Sequence, residues 1–264
     1  MTNVLVCVKR VPDVGSEVTL TPDVQGVDAR HVGFTTSAHE ACAVELAVRI
    51  AGDTGGTATV LTVGDADAVE QLRTALGVGC TAATLVETDP AALGPVDVAR
   101  EIAAVVQAHE GEGRGHDLVL LGNDAADSGD FQVGIRLAYL LGRPVVNGVK
   151  TVSVDGHTDD HTDGGTVTAV GDGPDGVETF QVPLPAVVTV LEGGVEPRYP
   201  TITGRMKAKK TPVETRSPAS APAGAGRVRL TLPPAQPSTV EILGRGPEAA
   251  PAVVDLLESL GVTR

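Results

Sequence analysis

The stretch TATVLTVGDADAVEQLRTAL, residues 57–76, contains the unit from which the fold is built. Residues 57–63 form a continuous apolar and β-branched run, which predicts a strand buried on both faces. Gly64 allows a turn, and Asp65 is a good N-cap for a helix that runs to Leu76. A buried strand joined directly to an amphipathic helix is typical of a parallel sheet, because parallel strands need crossover connections.

The same unit recurs along the first 145 residues. Further buried strands are predicted at 4–8, 83–86 and 118–121, and further helices at 38–51 (with Ser37 as N-cap), 95–109 and 130–141. Alternating strands and helices with right-handed crossovers predict an α/β fold with a mostly parallel, doubly wound, Rossmann-like sheet.

After residue 145 the pattern changes to strands without helices between them. We expect strands at 145–149, 151–154, 166–170, 179–182 and 186–190, which add β-hairpins to the sheet domain. The hairpin region, about 150–182, is acidic, with six Asp and no Lys or Arg between 155 and 176. His157 and His161 suggest a metal site there, but a solvated hairpin tip is favoured. Residues 171–176 match GxGxxG, yet a strand follows where a dinucleotide fingerprint needs a helix.

Composition excludes several classes of function. The chain has 264 residues, a net charge of −14 and only 2% aromatic residues, which argues against nucleic-acid binding. The three cysteines fit neither a disulfide framework nor a zinc site. No apolar run approaches the length of a membrane helix, and the N-terminus lacks the charge order of a signal peptide, so we expect a cytoplasmic protein without membrane insertion.

The loop at 122–134, GNDAADSGDFQVG, is the first candidate binding site. It joins a predicted strand end to a helix start, which is where ligands bind in open α/β sheets. Free backbone N–H groups at a helix start suit a phosphate, and Gln132 could donate to it. An ordinary capped loop is the alternative. The sequence lacks a P-loop, a pyrophosphatase SGG-type loop and a GxSxG elbow, so no catalytic residue of its own is predicted.

The second candidate site is the segment 196–210, EPRYPTITGRMKAKK. It places apolar side chains beside a basic cluster, and between 196 and 216 six Lys or Arg residues stand against two Glu. This combination is typical of a docking loop, with a plain charged surface loop as the alternative. Residues 217–226, SPASAPAGAG, read as a linker, and 248–260 as a last helix. We therefore expect a domain at 1–195, a partner-recognition loop at 196–216 and an arm at 217–264 that packs on a partner chain.

Several stretches resemble one known family. They are VLVCVKRVPD at 4–13, AVELAVR at 43–49, LRTALGVG at 72–79, DLVLLG at 117–122, LPAVVT at 184–189, and EPRY with MKAKK between 196 and 210. In this order they resemble the beta subunit of electron transfer flavoproteins over roughly residues 1–215. The resemblance implies an adenine-nucleotide-hydrolase-like α/β fold with an extended C-terminal arm, and a heterodimer with an alpha subunit that carries the redox FAD. It further implies an electron-carrier role, with acyl-CoA-type or other flavin dehydrogenases as donors and a membrane quinone oxidoreductase as acceptor toward the respiratory chain.

The resemblance also implies which residues bind. The adenine nucleotide would contact Cys7, Val8, Ser37, Ala38, Glu40, Val63, Gly64, Asn123, Asp127, Ser128, Gly129, Asp130, Phe131, Gln132, Val133 and Gly134. The partner dehydrogenase would contact Pro197, Arg198, Tyr199, Ile202, Met206, Lys207, Lys209 and Lys210. AMP is favoured in this chain, although Phe131 and Val133 replace polar residues of AMP-binding members. A second FAD, as in electron-bifurcating relatives, and an empty pocket stay open, as does a universal-stress-type nucleotide-binding regulator.

Overall fold

The computed structural model of the chain describes residues 1–13, 18–28, 30, 32–155, 165–223, 228–234 and 240–262. The chain forms two compact units, residues 1–230 and 231–264. The strands of the first unit are β1 Val4–Cys7, β2 Val11–Pro12, β3 Phe34–Thr35, β4 Ala58–Gly64, β5 Ala82–Glu87, β6 Leu118–Gly122, β7 Val145–Val149, β8 Thr151–Asp155, β9 Thr166–Gly173, β10 Gly176–Pro183, β11 Ala186–Val190 and β12 Glu214–Arg216. Its helices are α1 Ala38–Thr54, α2 Val69–Val78, α3 Pro95–Gly111, α4 Val133–Leu141 and α5 Ile202–Lys210.

A seven-stranded parallel sheet forms the centre of the first unit. Its strand order is β12-β5-β4-β1-β6-β11-β7, and every neighbouring pair in it is parallel. The order runs outward in both directions from β1, as a doubly wound sheet requires. The predicted α/β class and mostly parallel sheet are confirmed.

Helices cover both faces of this sheet, which explains the continuous apolar strands. Alternate residues of β1 point to opposite faces: Val4 and Val6 pack in the cluster that contains α1 and α2, whereas Leu5 packs in the cluster that contains α3 and α4. All of these side chains are fully buried. The three cysteines are also buried and free, so they pack as small apolar side chains.

Three of the strands after residue 145 form the predicted hairpins, whereas β7 and β11 join the parallel sheet. β8, β9 and β10 make a three-stranded antiparallel sheet, in which Gly173 lies opposite Gly176. The GxGxxG match at 171–176 is therefore a hairpin turn, as its following strand indicated. A further two-stranded sheet pairs β2 with β3. His157 and His161 lie outside the described residues.

Three local predictions differ from the structure. Helix α4 begins at Val133 and not at Asp130, and the helix expected directly after Asp65 begins as a 3₁₀ turn, Ala66–Ala68, before α2. The segment expected to be a loop contains helix α5, which Thr201 caps by accepting from the Gly204 N–H at 3.0 Å. The same segment continues into β12, which pairs with β5 at the sheet edge.

The second unit contains the predicted last helix. This helix, α6 Ala250–Ser259, follows a 3₁₀ turn, Gly246–Ala249. Its apolar side chains remain accessible, with Val253 41% and Leu256 44% exposed.

Candidate functional site

A cavity of about 300 Å³ opens at the carboxyl ends of β1, β4 and β6. Its inner wall is apolar and includes Leu61, Val63, Val98 and Ile102. Its rim carries backbone and polar groups from the loop between β6 and α4. An apolar slot with polar groups at one end is the usual form of a small-ligand site, and this edge of an open α/β sheet is where such sites occur.

The loop after β6 and the start of α4 form the polar end of the cavity. The Asp130 carbonyl accepts from the Ala125 N–H at 3.0 Å, which closes the loop before the helix begins. The first N–H groups of a helix have no intrahelical partner, and among the described residues no side chain caps those of α4. Gly134 permits this approach to the sheet, because a Cβ there would collide with the Thr189 methyl group. The arrangement presents backbone donors of the kind that bind phosphate.

Buried and paired charges surround the mouth of the cavity. Glu40 accepts from the backbone N–H of Lys9 at 2.7 Å and of Ser37 at 3.0 Å. Burial nevertheless raises the pKa of Glu40 to about 7. The Lys9 ammonium lies 2.6 Å from Asp127, and the His39 ring lies 3.1 Å from Asp124. The Lys9 ammonium offsets part of the repulsion that the loop carboxylates would exert on an anionic ligand.

Nine of the predicted nucleotide-binding residues line the cavity. They are Cys7, Val8, Glu40, Val63, Asn123, Ser128, Asp130, Val133 and Gly134. The other predicted residues lie outside the lining: Ser37, Ala38, Gly64, Asp127, Gly129, Phe131 and Gln132. Among these, Ser37 forms the capping box of α1 with Glu40, and the Gln132 side-chain oxygen accepts from Arg136 at 2.8 Å.

Sequence reasoning missed part of the cavity lining. Pro90, Leu93 and Pro95, from the connection between β5 and α3, line the cavity, as does Lys9 at the end of β1. The sequence could have indicated these residues, because they follow predicted strands and every connection after a parallel strand lies at the same edge of the sheet.

Helix α5 carries five of the eight predicted docking residues. Ile202 is 80% exposed and Met206 60% exposed, and their spacing of four residues places both on one face of the helix. Tyr199 precedes them and is 89% exposed. Lys207, Lys209 and Lys210 are exposed in the last turn, where cations interact favourably with the helix dipole.

The inner side of α5 packs closely on α2. Ala208 is buried, and the Arg73 guanidinium donates to the carbonyls of Ala208 and Thr211 at the end of α5. Gly204 lies against the Gly77 carbonyl with no space for a side chain. Helix α5 therefore buries its small residues and presents its large apolar residues to solvent.

Arg198 and Pro197 precede α5, and an ion pair ties the Arg198 side chain, which stays 50% exposed, to helix α1. The Arg198 guanidinium donates to both Glu45 carboxylate oxygens at 2.7 Å, and Glu45 is 1% exposed. This ion pair lowers the pKa of Glu45 against the opposing effect of its burial. Pro197 is half-buried beside it.

Comparison with known proteins now places this architecture. A family model, the electron transfer flavoprotein domain, matches residues 25–221. A curated relative, the electron transfer flavoprotein subunit beta of Syntrophomonas wolfei subsp. wolfei, is 34% identical over 242 residues, covering 90% of this chain and 89% of that protein. The chain belongs to the electron transfer flavoprotein beta-subunit family. The human protein of the same description is 36% identical over 219 residues, covering 81% of each chain.

This family member has a further cluster of ionisable groups at the end of α3. His109, Glu112 and Glu214 could offer three ligand atoms within 4.8 Å of one another. Both carboxylates are already engaged by the guanidinium groups of Arg114 and Arg216. These cations hold the pKa of Glu112 low, at about 2, so the cluster is a charge-balanced contact between α3 and β12.

The described residues of this family member include no helix with the length and apolar character needed to cross a membrane.

Proposed function

We propose that this chain is the beta subunit of an electron transfer flavoprotein heterodimer and that it holds an adenine nucleotide in the cavity at the carboxyl ends of β1, β4 and β6. It supports an alpha subunit that bears the redox FAD, and it docks flavin dehydrogenases through α5 so that electrons pass toward the respiratory chain. The chain acts as an electron-carrier subunit without a catalytic residue of its own. The cavity at the uncapped start of α4 carries the proposal.

The residues of the cavity fit a nucleoside monophosphate. Val98 and Ile102 offer apolar surface to a base, and the first N–H groups of α4, with the Lys9 ammonium nearby, offer donors to a phosphate. A volume of about 300 Å³ lies at the lower end of the range of ligand pockets, about 300–1,000 Å³, which favours AMP over the larger FAD. When bound, the nucleotide supplies no chemistry; it fills the site and neutralises the helix start.

The nucleotide proposal is tested by the stoichiometry of released cofactors. The chain is co-expressed with its alpha-type partner, and the purified complex is denatured and its nucleotides quantified. We expect one FAD and one AMP per heterodimer. Two FAD molecules per heterodimer and no AMP would instead indicate an electron-bifurcating flavoprotein and would contradict the AMP proposal. A chain that binds a nucleotide but no partner would instead indicate a stand-alone regulator of the universal-stress type.

The docking proposal is tested by charge reversal on α5. Lys207, Lys209 and Lys210 are exposed and make no ion pair among the described residues, so their replacement by Glu leaves the packed side of the helix intact. We expect slower association with the dehydrogenase, most strongly at low salt, because exposed charges are screened as ionic strength rises. A defect that does not change with salt would indicate misfolding of α5 and would contradict the electrostatic role.

A further inference from the structure

Helix α1 holds the segment 191–200, which connects β11 to α5, through a regular series of contacts. Every third residue of one face of α1 contacts every third residue of the segment. The pairs are His39 with Glu192 (2.9 Å, ring Nδ1 to backbone N), Cys42 with Val195 (3.3 Å, Sγ to carbonyl O) and Glu45 with Arg198 (2.7 Å, carboxylate to Nε). The segment that leads to the docking helix is thus seated on α1 along its length.

The path of this segment is also constrained from its other side. Gly194 lies against the Lys150 carbonyl so closely that a Cβ would overlap it. The segment has α1 on one side and the start of the hairpin sheet on the other. The first residues of the segment therefore cannot shift without changing their contacts with α1.

His39 is the residue of this series that also contacts the cavity loop. Its Nδ1 accepts from the Glu192 N–H, so the proton of the neutral ring is on Nε2. Nε2 lies 3.1 Å from the Asp124 carboxylate, and Asp124 lines the cavity. One imidazole ring therefore bridges the loop at the proposed phosphate site and the segment that leads to the docking helix.

We propose that His39 is a positioning residue that couples the nucleotide cavity to the docking helix. A nucleoside monophosphate that orders the loop 123–130 holds Asp124 in place, Asp124 orients the His39 ring, and the ring holds the Glu192 amide at the start of the docking segment. The inference rests on the proposed nucleotide site and adds that the site sets the geometry of α5. Glu40 lines the same cavity, but its two carboxylate oxygens accept from the backbone N–H groups of Lys9 and Ser37. The contact between the cavity loop and Glu192 is therefore made by His39.

Hydrogen exchange of the Glu192 amide, in the complex with the alpha subunit, tests the coupling with AMP as the probe. We expect AMP to slow this exchange about fivefold in the unmodified protein, the effect of securing one hydrogen bond. In His39→Phe, which keeps a ring but removes the hydrogen bond to Glu192 and the polar contact with Asp124, AMP should change the exchange less than about twofold. His39→Gln can accept from Glu192 and donate to Asp124, so it should restore the AMP effect.

The outcomes separate the coupling from the nucleotide site itself. Because coupling is reciprocal, His39→Phe should also weaken AMP binding, by no more than the same factor of about five. If AMP binds the unmodified complex but leaves the Glu192 exchange unchanged, the coupling is wrong and the nucleotide site stands. The same holds if His39→Phe responds to AMP as the unmodified protein does. If AMP does not bind at all, both proposals are overturned.

Discussion

The packing of α5 on α2 predicts an unusual effect of Gly204→Ala. Glycine within a helix is normally less favourable than alanine by roughly 0.5–1 kcal/mol, so the substitution would ordinarily stabilise the protein. Here the new Cβ would lie 3.1 Å from the Thr201 hydroxyl and closer than 3.0 Å to the Gly77 carbonyl, a separation that Cβ atoms essentially never show. Helix α5 has to move away from α2, at a cost of about 1–3 kcal/mol for overpacking.

The movement also stretches the hydrogen bonds from Arg73 to the end of α5, which are charge-assisted and worth roughly 1.5–3 kcal/mol when intact. We expect a net loss of about 1–2 kcal/mol in the free energy of unfolding. Urea unfolding followed by circular dichroism at 222 nm measures it, and hydrogen exchange of α5 locates it.

Gly52→Ala is the matched control for this substitution. Gly52 lies in helix α1, and nothing lies within 4 Å of the position that an alanine methyl group would take there. Alanine should therefore stabilise the protein by about 0.5–1 kcal/mol. The two substitutions are chemically identical and are expected to have opposite signs. If Gly204→Ala raises the urea midpoint as Gly52→Ala does, the close contact between α5 and α2 does not constrain the helix and the reasoning is wrong.

Three further perturbations test other parts of the molecule. Ile202→Ala removes an exposed apolar anchor, so electron uptake from the dehydrogenase should slow at unchanged flavin content; equal rates would refute the docking role. Glu40→Gln leaves one backbone N–H without its carboxylate oxygen, and urea unfolding should show a loss of about 1–3 kcal/mol; an unchanged midpoint would contradict this. The pKa of His116 is lowered from 6.5 to about 4, first by burial and then, in the same direction, by the nearby His109. Between these two pH values the unfolded chain binds a proton at His116 and the folded chain does not. The free energy of unfolding therefore keeps its full value above pH 6.5, and it falls by up to about 3 kcal/mol as the pH is lowered toward 4. In His116→Gln, urea unfolding between pH 7 and 4.5 should show a smaller loss of unfolding free energy than in the unmodified protein. Glu40 makes the unfolding free energy change with pH in the opposite direction in both proteins, so the quantity compared is the difference between the variant and the unmodified protein at each pH.

The five inner strands of the sheet were predictable because they are buried on both faces, whereas the edge strand β12 is partly exposed and was expected to be a loop. Continuous runs such as the one at 118–121 have this pattern only where helices cover both sides, and the turn residues between them mark the connections. The start of α4 was not predictable in the same way. The loop before it closes through a hydrogen bond from the Ala125 N–H to the Asp130 carbonyl, and such a contact leaves no periodic pattern in the sequence.

Helix α5 escaped prediction because its apolar pattern is reversed. An amphipathic helix is recognised by large apolar residues that face the core. Here Ile202 and Met206 face solvent, while Gly204 and Ala208 face α2. The remaining local signal is Thr201 as N-cap directly after a proline. A helix that displays its apolar residues is consistent with a surface that is covered only when a partner binds.

The segment after β12 shows that low sequence complexity does not by itself mark a domain boundary. Composition predicts a linker from residue 217, because SPASAPAGAG offers no side chain to a core. Yet the carboxylates of Asp97 and Glu101, both buried on α3, accept backbone N–H groups of Ala219, Ser220 and Ala223 at 2.7–3.1 Å. Burying a carboxylate without hydrogen-bond donors costs free energy, so these contacts stabilise both helix α3 and the segment after β12. Backbone amides are the same in every sequence, and for that reason composition could not reveal that the first unit continues to residue 230.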